Sequence, residues 1–264
     1  MLNLKSNKKI LMVNNPPLIS IITVVFNNAS HIQKTLNSIY KQHYTNYELI
    51  VIDGGSTDGT IEIIKKYQER ISIFLSEKDK GIYDALNKGV RIASGNIIGF
   101  LHSDDVFTDK NVVKKIAESL SNSNVDGIYS DLDYVKKNNI NSIVRHWESS
   151  TFSLNKLNSG WMPPHPTLYL HRTLYEQIGL FDLRYPIAAD YDFILRLFSA
   201  PNINFKYIPE VFVKMRVGGQ SNNSIPNIIR KFRETRDILN GHGFNGNIIT
   251  IVKFMRKLSS FILR

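Results

Sequence analysis

Hydrophobic and polar positions in the first half of the chain alternate between short apolar runs and stretches with helical spacing. Residues 18–26 form an apolar, β-branched run typical of a buried strand. Apolar residues then recur at helical spacing up to Tyr40, and Ser30 with Gln33 predicts a capping box at the start of that helix. Further strands are predicted at 47–52, 71–75 and 96–101, with helices at 60–67, 81–93 and 109–120. This alternation predicts an α/β fold built on a mostly parallel sheet flanked by helices.

The second half of the chain is less regular. Strands are predicted at 127–135, 142–147, 167–171 and 211–216, and helices at 172–178 and 187–198. Residues 218–222 have the Gly-rich, polar composition of a loop. Two basic stretches with helical spacing follow, so we expect a C-terminal helical tail.

The composition is that of a globular protein, with 264 residues, 42% of them hydrophobic and 21% charged. Cysteine is absent, which excludes thiolate zinc sites, iron–sulfur clusters and a cysteine nucleophile. No apolar run reaches the ~18 to 20 residues that a membrane-spanning helix needs. We therefore expect a cytoplasmic protein, either soluble or peripheral on the cytoplasmic face of the membrane.

The formal net charge of +10 lies mainly at the two ends of the chain. Residues 225–264 carry eight Lys and Arg against two acidic residues, and Lys5, Lys8 and Lys9 add further positive charge near the start. The region between them is close to neutral. Because a protein that binds duplex nucleic acid is expected to carry a basic face across its fold, no nucleic-acid partner is predicted.

The last predicted helix is both amphipathic and basic. Ile248, Ile251 and Met255 belong to an apolar stripe at helical spacing, and Lys253 and Arg256 are among the cations that flank it. Such a helix can lie in the headgroup region of an anionic membrane. It can equally pack its apolar stripe on the rest of the protein. The sequence leaves both alternatives open.

Polar residues follow each of the four predicted strands of the first half at the point where the strand ends. Asn27 follows the first strand, Asp53 the second, Asp79 the third, and Asp104 with Asp105 the fourth. In parallel sheets these ends lie along one edge, where ligands bind. Several carboxylates beside a Gly-rich backbone favour Mg²⁺ or Mn²⁺ as the bridge to an anionic ligand. A capped turn at 53–59 and helix capping by the aspartates at 104 and 105 are the alternatives.

Four segments in this order carry a resemblance to a known family. They are residues 19–27 (ISIITVVFN), 48–60 (ELIVIDGGSTDGT), 77–89 (EKDKGIYDALNKG) and 99–105 (GFLHSDD). The chain resembles family 2 glycosyltransferases of the GT-A fold over residues 18–222. Within that family it is most similar to non-processive bacterial enzymes that build colanic acid, capsule and O-antigen (lipopolysaccharide) repeats, because the Gln-x-x-Arg-Trp signature of processive synthases is absent.

The resemblance implies an inverting, metal-dependent transfer of one sugar from a nucleotide-sugar donor, UDP-linked, to a glycan or lipid-linked acceptor in cell-surface polysaccharide biosynthesis. The implied cofactor is Mn²⁺ or Mg²⁺. The resemblance also implies a division into an N-terminal extension (1–17), a nucleotide-sugar-binding half (18–107), an acceptor-binding half of the same GT-A domain (108–222) and the basic amphipathic helical tail (223–264).

The resemblance assigns site residues by position. The residues implied to hold the nucleoside, with Ser56 supporting the loop, are Thr23, Val25, Asn27, Asp53 and Ser56. Those implied to line the diphosphate and donor sugar are Lys80, Gly81, Asp84, Asn87 and Asp104. Asp104 and Asp105 are the implied metal ligands, and Asp190 is the implied catalytic base. His102 and Ala189 depart from the family pattern, since each stands where the family has an acidic residue.

Other candidates have weaker support. His165 is a candidate acceptor-site or metal-side residue, and Gly219 with Ser221 is a candidate lid over the diphosphate. Helix capping is the alternative for Asp190, and an ordinary surface turn is the alternative for the lid. The aromatic residues that either stack on sugar faces or pack in the core are Tyr83, Trp161 and Tyr191.

Four other functional classes can be compared with the sequence. Dinucleotide dehydrogenases and P-loop NTPases are excluded, because no Gly-x-Gly-x-x-Gly follows the first strand and no Gly-Lys-Ser/Thr loop is present. A sugar-nucleotidyltransferase would need a Gly-rich, Arg-containing loop after the first strand, and residues 27–29 offer none. A catalytically inactive sugar-nucleotide-binding or scaffold subunit is the remaining alternative, because His102 and Ala189 replace acidic residues.

Overall fold

The computed structural model describes residues 16–122, 124–218 and 225–262. The strands are β1 (Ile19–Val25), β2 (Tyr47–Asp53), β3 (Ile73–Ser76), β4 (Ile97–Phe100), β5 (Val106–Phe107), β6 (Gly127–Lys136), β7 (Asn139–Trp147), β8 (Tyr169–His171) and β9 (Phe205–Arg216). The helices are α1 (Ile32–Tyr40), α2 (Thr60–Lys65), α3 (Ile82–Ile92), α4 (Val112–Leu120), α5 (Arg172–Ile178), α6 (Ala189–Ser199), α7 (Ile225–Gly241) and α8 (Gly246–Ile262). Nearly all of the predicted N-terminal extension lies outside the described residues.

All the strands join one sheet in the order β3-β2-β1-β4-β8-β6-β9-β5, with β7 added beside β6. The first four in sheet order are parallel to one another, as the sequence predicts. Strands β8, β7 and β5 run antiparallel to their neighbours, so the sheet as a whole is mixed. A short turn joins β6 to β7, and a connection of that length can only link antiparallel strands. The predicted α/β fold with flanking helices is confirmed.

Strand β1 lies at the centre of the parallel half, and all seven of its residues are buried. Its side chains alternate between two apolar clusters. Ile19 and Ile21 pack with α1 and α4 on one face of the sheet, and Ile22 and Val24 pack with α3 and α6 on the other. Because helices cover both faces, the strand is a continuous apolar run.

One predicted helix cap and two alternative capping roles can be compared with the structure. The predicted capping box is wrong, because α1 has His31 as its N-cap without a side-chain cap, and Ser30 Oγ lies 2.6 Å from His31 Nδ1 instead. Asp104 and Asp105 do not cap a helix, because β5 follows them and α4 begins only at Val112. Asp190 lies inside the first turn of α6, so its carboxylate is not an N-cap either.

The C-terminal helices pack on the rest of the chain through α6. Glu234 of α7 is buried, and its Oε2 accepts the N–H groups of Ile187 and Ala188 at 2.9 Å each, at the start of α6. His242 Nε2 lies 3.1 Å from Asp192 Oδ1, and Ile249 of α8 is buried in the core cluster around α6. One face of the tail therefore belongs to the domain. Among the described helices, none is long and apolar enough to cross a membrane.

Candidate active site

The ends of β1 and β2 present a carboxylate with one oxygen engaged and one free. Asp53 is fully buried, and its Oδ2 accepts hydrogen bonds from the N–H groups of Gly55 and Ser56 and from Ser76 Oγ, at 2.7–3.1 Å. Its Oδ1 has no partner among the described residues, and neither does the buried hydroxyl of Thr23. Since buried polar atoms are normally hydrogen-bonded, both atoms are suited to receive a ligand. One oxygen of Asp53 thus caps the turn that follows β2, and the other is an acceptor without a partner among the described residues.

The loops after β1 and β2 hold each other in place. Asn27 has a positive φ of 48°; its N–H donates to Ser56 Oγ and its Oδ1 accepts the Thr57 N–H, both at 2.8 Å. Val25 is buried and lies opposite Asp53 in the parallel ladder. These contacts make the predicted nucleoside-binding edge rigid before any ligand arrives.

The predicted donor-binding residues at the start of α3 divide into exposed and buried ones. Gly81 has a φ of +114°, which L side chains rarely adopt, and the Lys80 side chain is exposed. Asp84 Oδ2 accepts the Lys80 N–H at 3.0 Å. Asn87 is buried, and its amide is paired with the Phe181 main chain at 2.9 and 3.0 Å. The contacts of Asn87 therefore give it a packing role, while Lys80 and Gly81 remain accessible to a ligand.

The two aspartates after β4 occupy different environments. Asp104 is partly exposed, and burial raises its pKa. Asp105 is completely buried, neither of its carboxylate oxygens has a hydrogen-bond partner, and burial together with the Asp104 charge raises its pKa well above the usual range. Arg216, at the end of β9, is buried beside them and donates to the main-chain oxygens of Asp104 and Lys137.

The two predicted metal ligands differ in how far they reach the surface. Asp104 reaches the surface and offers the hard oxygen that Mg²⁺ and Mn²⁺ prefer. Asp105 has no exposed surface and lies beside the charge of Arg216, so Asp104 is the more accessible of the two predicted ligands and the metal role of Asp105 stays a prediction. No group of three or more His, Asp and Glu among the described residues could hold a cation alone. Ligand and water oxygens would have to complete the coordination at Asp104.

Asp190 is held by side chains from two other elements. Its Oδ1 lies 2.9 Å from the hydroxyl of Tyr83 on α3, and its Oδ2 lies 3.4 Å from His165 Nδ1. Burial alone would raise the pKa of Asp190, but the charges of His165 and Lys231 and the Tyr83 hydrogen bond outweigh it, so the pKa is lowered. The carboxylate is therefore ionised at neutral pH and partly exposed, as a proton acceptor must be.

His102 lies beside His165, the histidine that contacts Asp190. Its ring centroid lies 5.6 Å from that of His165, and only 8% of His102 is exposed. Burial, assisted by the charge of His165, lowers the pKa of His102 to about 3, so the imidazole is neutral. Its Nδ1 has no partner among the described residues. The residue that replaces a family aspartate thus supplies an uncharged polar atom beside His165, which in turn contacts Asp190.

The remaining candidates are placed as follows. Ala189, the other departure, is fully buried in α6, where a carboxylate would be shut off from solvent. Tyr83 and Tyr191 are buried, and Trp161 packs against the core, which supports the packing alternative for all three. Gly219 and Ser221, the candidate lid, lie outside the described residues.

Comparison with known proteins identifies the family. The model of "Glycosyl transferase family 2" matches residues 20–179. The chain belongs to glycosyl transferase family 2. The family 2 resemblance seen in the sequence is thereby confirmed, and the chain is a transferase enzyme.

Relatives within family 2 match over most of the chain. An uncharacterised glycosyltransferase of Mycobacterium tuberculosis is 36% identical over 186 residues, which are 70% of each chain. A PGL/p-HBAD biosynthesis glycosyltransferase of Mycobacterium bovis is 30% identical over 213 residues, which are 79% of this chain and 80% of the relative.

Solved structures of low identity share the fold. Residues 1–349 of S. aureus TarS in complex with UDP-GlcNAc are 20% identical, with a TM-score of 0.66 over 84% of this chain and 65% of that one. The mannosyltransferase PcManGT from Pyrobaculum calidifontis, in complex with GDP-Man and Mn²⁺, is 18% identical, with a TM-score of 0.64. The match covers 91% of this chain and 70% of that one. The chain spans 39% of the longer TarS chain. These likenesses confirm the GT-A fold.

Sequence reasoning missed two contributors to this family 2 site. Arg216 could have been noticed, because it lies two residues before the Gly-rich loop at 218–222. The hydrogen bond from Tyr83 to Asp190 had no sequence signal, because the two residues are 107 positions apart.

Proposed function

We propose that this enzyme moves one sugar from a nucleotide-sugar donor, UDP-linked, to a hydroxyl of a glycan or lipid-linked acceptor, with inversion, in cell-surface polysaccharide biosynthesis. The observation that carries the proposal is Asp190, an ionised and partly exposed carboxylate oriented by Tyr83 and His165. The structural neighbours TarS, in complex with UDP-GlcNAc, and PcManGT, in complex with GDP-Man, support a nucleotide-sugar donor. The PGL/p-HBAD relative supports a cell-envelope glycan as the product class.

In the proposed reaction, Asp190 takes the proton of the acceptor hydroxyl as its oxygen attacks the anomeric carbon. The bond from that carbon to the diphosphate oxygen breaks on the opposite face, its electron pair leaves with the nucleoside diphosphate, and the configuration inverts. Asp53 Oδ1 accepts an N–H of the base, while the loop held by Asn27 and Ser56 positions the nucleoside.

Asp104 is the residue that would hold a cation in this site, with the donor's phosphate oxygens as further ligands. Mn²⁺ or Mg²⁺ bound there would supply positive charge that stabilises the departing diphosphate. The Mn²⁺ in the PcManGT complex supports this assignment.

A donor-consumption screen separates this function from its alternatives. The full chain is incubated with UDP- and GDP-sugars, and released nucleoside diphosphate is measured with Asp53→Ala as the control for donor binding. We expect slow hydrolysis of at least one donor, lost in the control. Binding of a donor without any release of nucleoside diphosphate would favour the inactive scaffold, and formation of nucleoside triphosphate from pyrophosphate would favour the sugar-nucleotidyltransferase.

The tail carries the proposed contact with a membrane. While Ile249 is buried, Ile248, Ile251 and Met255 on another face of α8 are each about 60% exposed. The region from residue 225 onwards is strongly basic, which complements an anionic lipid surface. We infer that this face docks on the cytoplasmic side of the membrane, where a lipid-linked acceptor would be found.

Surface substitutions test the docking without disturbing the buried face. Ile248→Asn with Ile251→Asn should abolish sedimentation with phosphatidylglycerol vesicles at low salt, because the apolar contact is lost. Ile143→Asn is the matched control, since Ile143 is half-exposed on β7, in another part of the fold. Equal sedimentation of the double variant and the control would contradict the membrane contact.

A further inference from the structure

The hydroxyl of Tyr83 has one proton to donate and two acceptors within reach. Tyr83 Oη lies 2.9 Å from Asp190 Oδ1 and 2.9 Å from the main-chain oxygen of Ile187. Ile187 is itself held in place, because its N–H donates to Glu234 Oε2 at 2.9 Å. A carbonyl oxygen and an ionised carboxylate can only accept, whereas a phenol hydroxyl both donates and accepts. The Tyr83 proton can therefore serve either acceptor, and only the O–H bond has to rotate.

Packing fixes the Tyr83 ring and the helix that carries it. Only 8% of Tyr83 is exposed, and its ring centroid lies 5.6 Å from that of Phe181. Asn87, one turn further along α3, is paired with the Phe181 main chain in both directions. The Phe181 ring packs in turn on Phe193 of α6, with 5.0 Å between the ring centroids. These contacts hold α3 against α6, the helix on which Asp190 lies.

Tyr83 makes the shortest side-chain contact with the Asp190 carboxylate in the described part of the chain. The next neighbour, His165 Nδ1, lies 3.4 Å from Asp190 Oδ2, beyond the usual range of an N–H···O hydrogen bond. The hydroxyl of Tyr83 is therefore the group that responds most directly to the protonation state of this carboxylate. The titratable groups that interact electrostatically with Asp190 from the surrounding elements are Tyr83, His102, Tyr134, His165, Lys231 and Lys253.

The first turn of α3 also belongs to the segment assigned to the donor. Tyr83 comes two residues after Gly81, the N-cap of the helix, and the Lys80 N–H donates to Asp84 in the same turn. A donor that contacts Lys80 and Gly81 is thus connected to Asp190 through one helical turn and one hydrogen bond. Tyr83 links the two parts of the proposed site.

We propose that Tyr83 is a positioning residue for the base, whose hydroxyl donates to the ionised Asp190 carboxylate and turns to the Ile187 oxygen once Asp190 has taken a proton. This inference rests on the proposed function, because it takes Asp190 as the base. After the proton transfer, Asp190 Oδ1 either accepts weakly or carries the new proton, and in the second case Tyr83 Oη accepts it. Both groups keep a hydrogen-bond partner before and after the transfer, as buried polar groups require.

Tyr83→Phe removes the hydroxyl and keeps the ring that packs on Phe181. The test reaction is hydrolysis, at about pH 8, of the UDP-sugar that the wild-type chain consumes fastest, with water as the acceptor. We expect kcat to fall about tenfold, the effect of one hydrogen bond to a charged group, while the KM for the donor stays within about twofold. A hydroxyl that only weakened the base would give the opposite result, because its removal would strengthen the base and hydrolysis would not slow.

Tyr175→Phe is the matched control. The Tyr175 hydroxyl is also buried, but it has no hydrogen-bond partner among the described residues, so its removal should leave kcat and KM unchanged.

A titration of the Asp190 carboxyl tests the contact without any substrate. The full chain is labelled with carboxyl-¹³C aspartate, and the Asp190 signal is identified by its absence from Asp190→Asn. The Tyr83 hydrogen bond favours the ionised form and lowers the pKa of Asp190. Tyr83→Phe should therefore lower the acid dissociation constant of Asp190 about tenfold, and Tyr175→Phe should leave it unchanged.

The outcomes separate the failure of this inference from that of the proposed function. Unchanged hydrolysis by Tyr83→Phe would overturn the positioning role, and an unchanged acid dissociation constant would overturn the contact itself. If Tyr83→Phe lost cooperative melting, 3-fluorotyrosine incorporated at position 83 would replace it. Its more acidic hydroxyl should raise the acid dissociation constant of Asp190, and no change would overturn the inference. Turnover by Asp190→Asn at the wild-type rate would instead contradict the proposed base, whatever the titration shows for Tyr83.

Discussion

Replacing Asp190 by Asn should lower kcat by roughly a hundredfold or more, while the Kd for the nucleoside diphosphate stays close to that of wild type. The asparagine keeps the size of the side chain and can still accept from Tyr83 Oη, but it cannot take a proton. Because a base acts only as the acceptor attacks, the loss should appear in kcat and not in donor binding. Steady-state rates and calorimetry measure the two quantities separately.

Asp192→Asn provides the matched control in the same helical turn. Asp192 is buried and pairs with Arg196 and His242, so its substitution should lower the Tm while leaving kcat near wild type. The pH dependence adds a second check. Since the pKa of Asp190 is lowered, the base remains ionised on acidification, and kcat should be flat from about pH 7 to about pH 5. An Asp190→Asn enzyme that turns over at the wild-type rate would remove Asp190 from the mechanism.

Removal of divalent cations by EDTA should abolish transfer, and Mn²⁺ or Mg²⁺ should restore it. The proposed cation contributes several kcal/mol of charge stabilisation, so the loss should be at least about a hundredfold. Asp104→Ala should reproduce the effect of EDTA and should also weaken nucleoside diphosphate binding, because protein and ligand oxygens hold the cation together. Rates of donor consumption and nucleotide titrations with and without metal measure both effects.

Asp105→Asn is the informative comparison for the cation. Asp105 is fully buried and its pKa is raised well above the usual range, so we expect the variant to keep metal-dependent activity. If Asp105→Asn behaved like Asp104→Ala, the cation would reach both carboxylates and Asp105 would be a ligand as well. Full activity of the wild-type enzyme in EDTA would exclude the metal role altogether.

Much of the fold could be predicted because its determinants are local in sequence. The β1 run and the helical spacing of α3 and α4 follow directly from which positions are apolar. The antiparallel pairs of the second half could not be predicted, because neighbours such as β4 and β8 are brought together by packing over more than 60 residues. The predicted capping box at Ser30 does not form, because the Ser30 hydroxyl contacts the His31 ring instead. A short motif can therefore be overridden by a neighbouring side chain.

The sequence by itself determined the α/β class, the polar edge at Asp53 and Asp104, and the family to which the chain belongs. These properties depend on hydrophobic periodicity and on short motifs, which are encoded within a few residues. Only the tertiary structure decided that Asp105 is buried while Asp104 is partly exposed, and that Tyr83 contacts Asp190. Burial and charge proximity depend on elements far apart in the chain, and the pKa of a side chain depends on both.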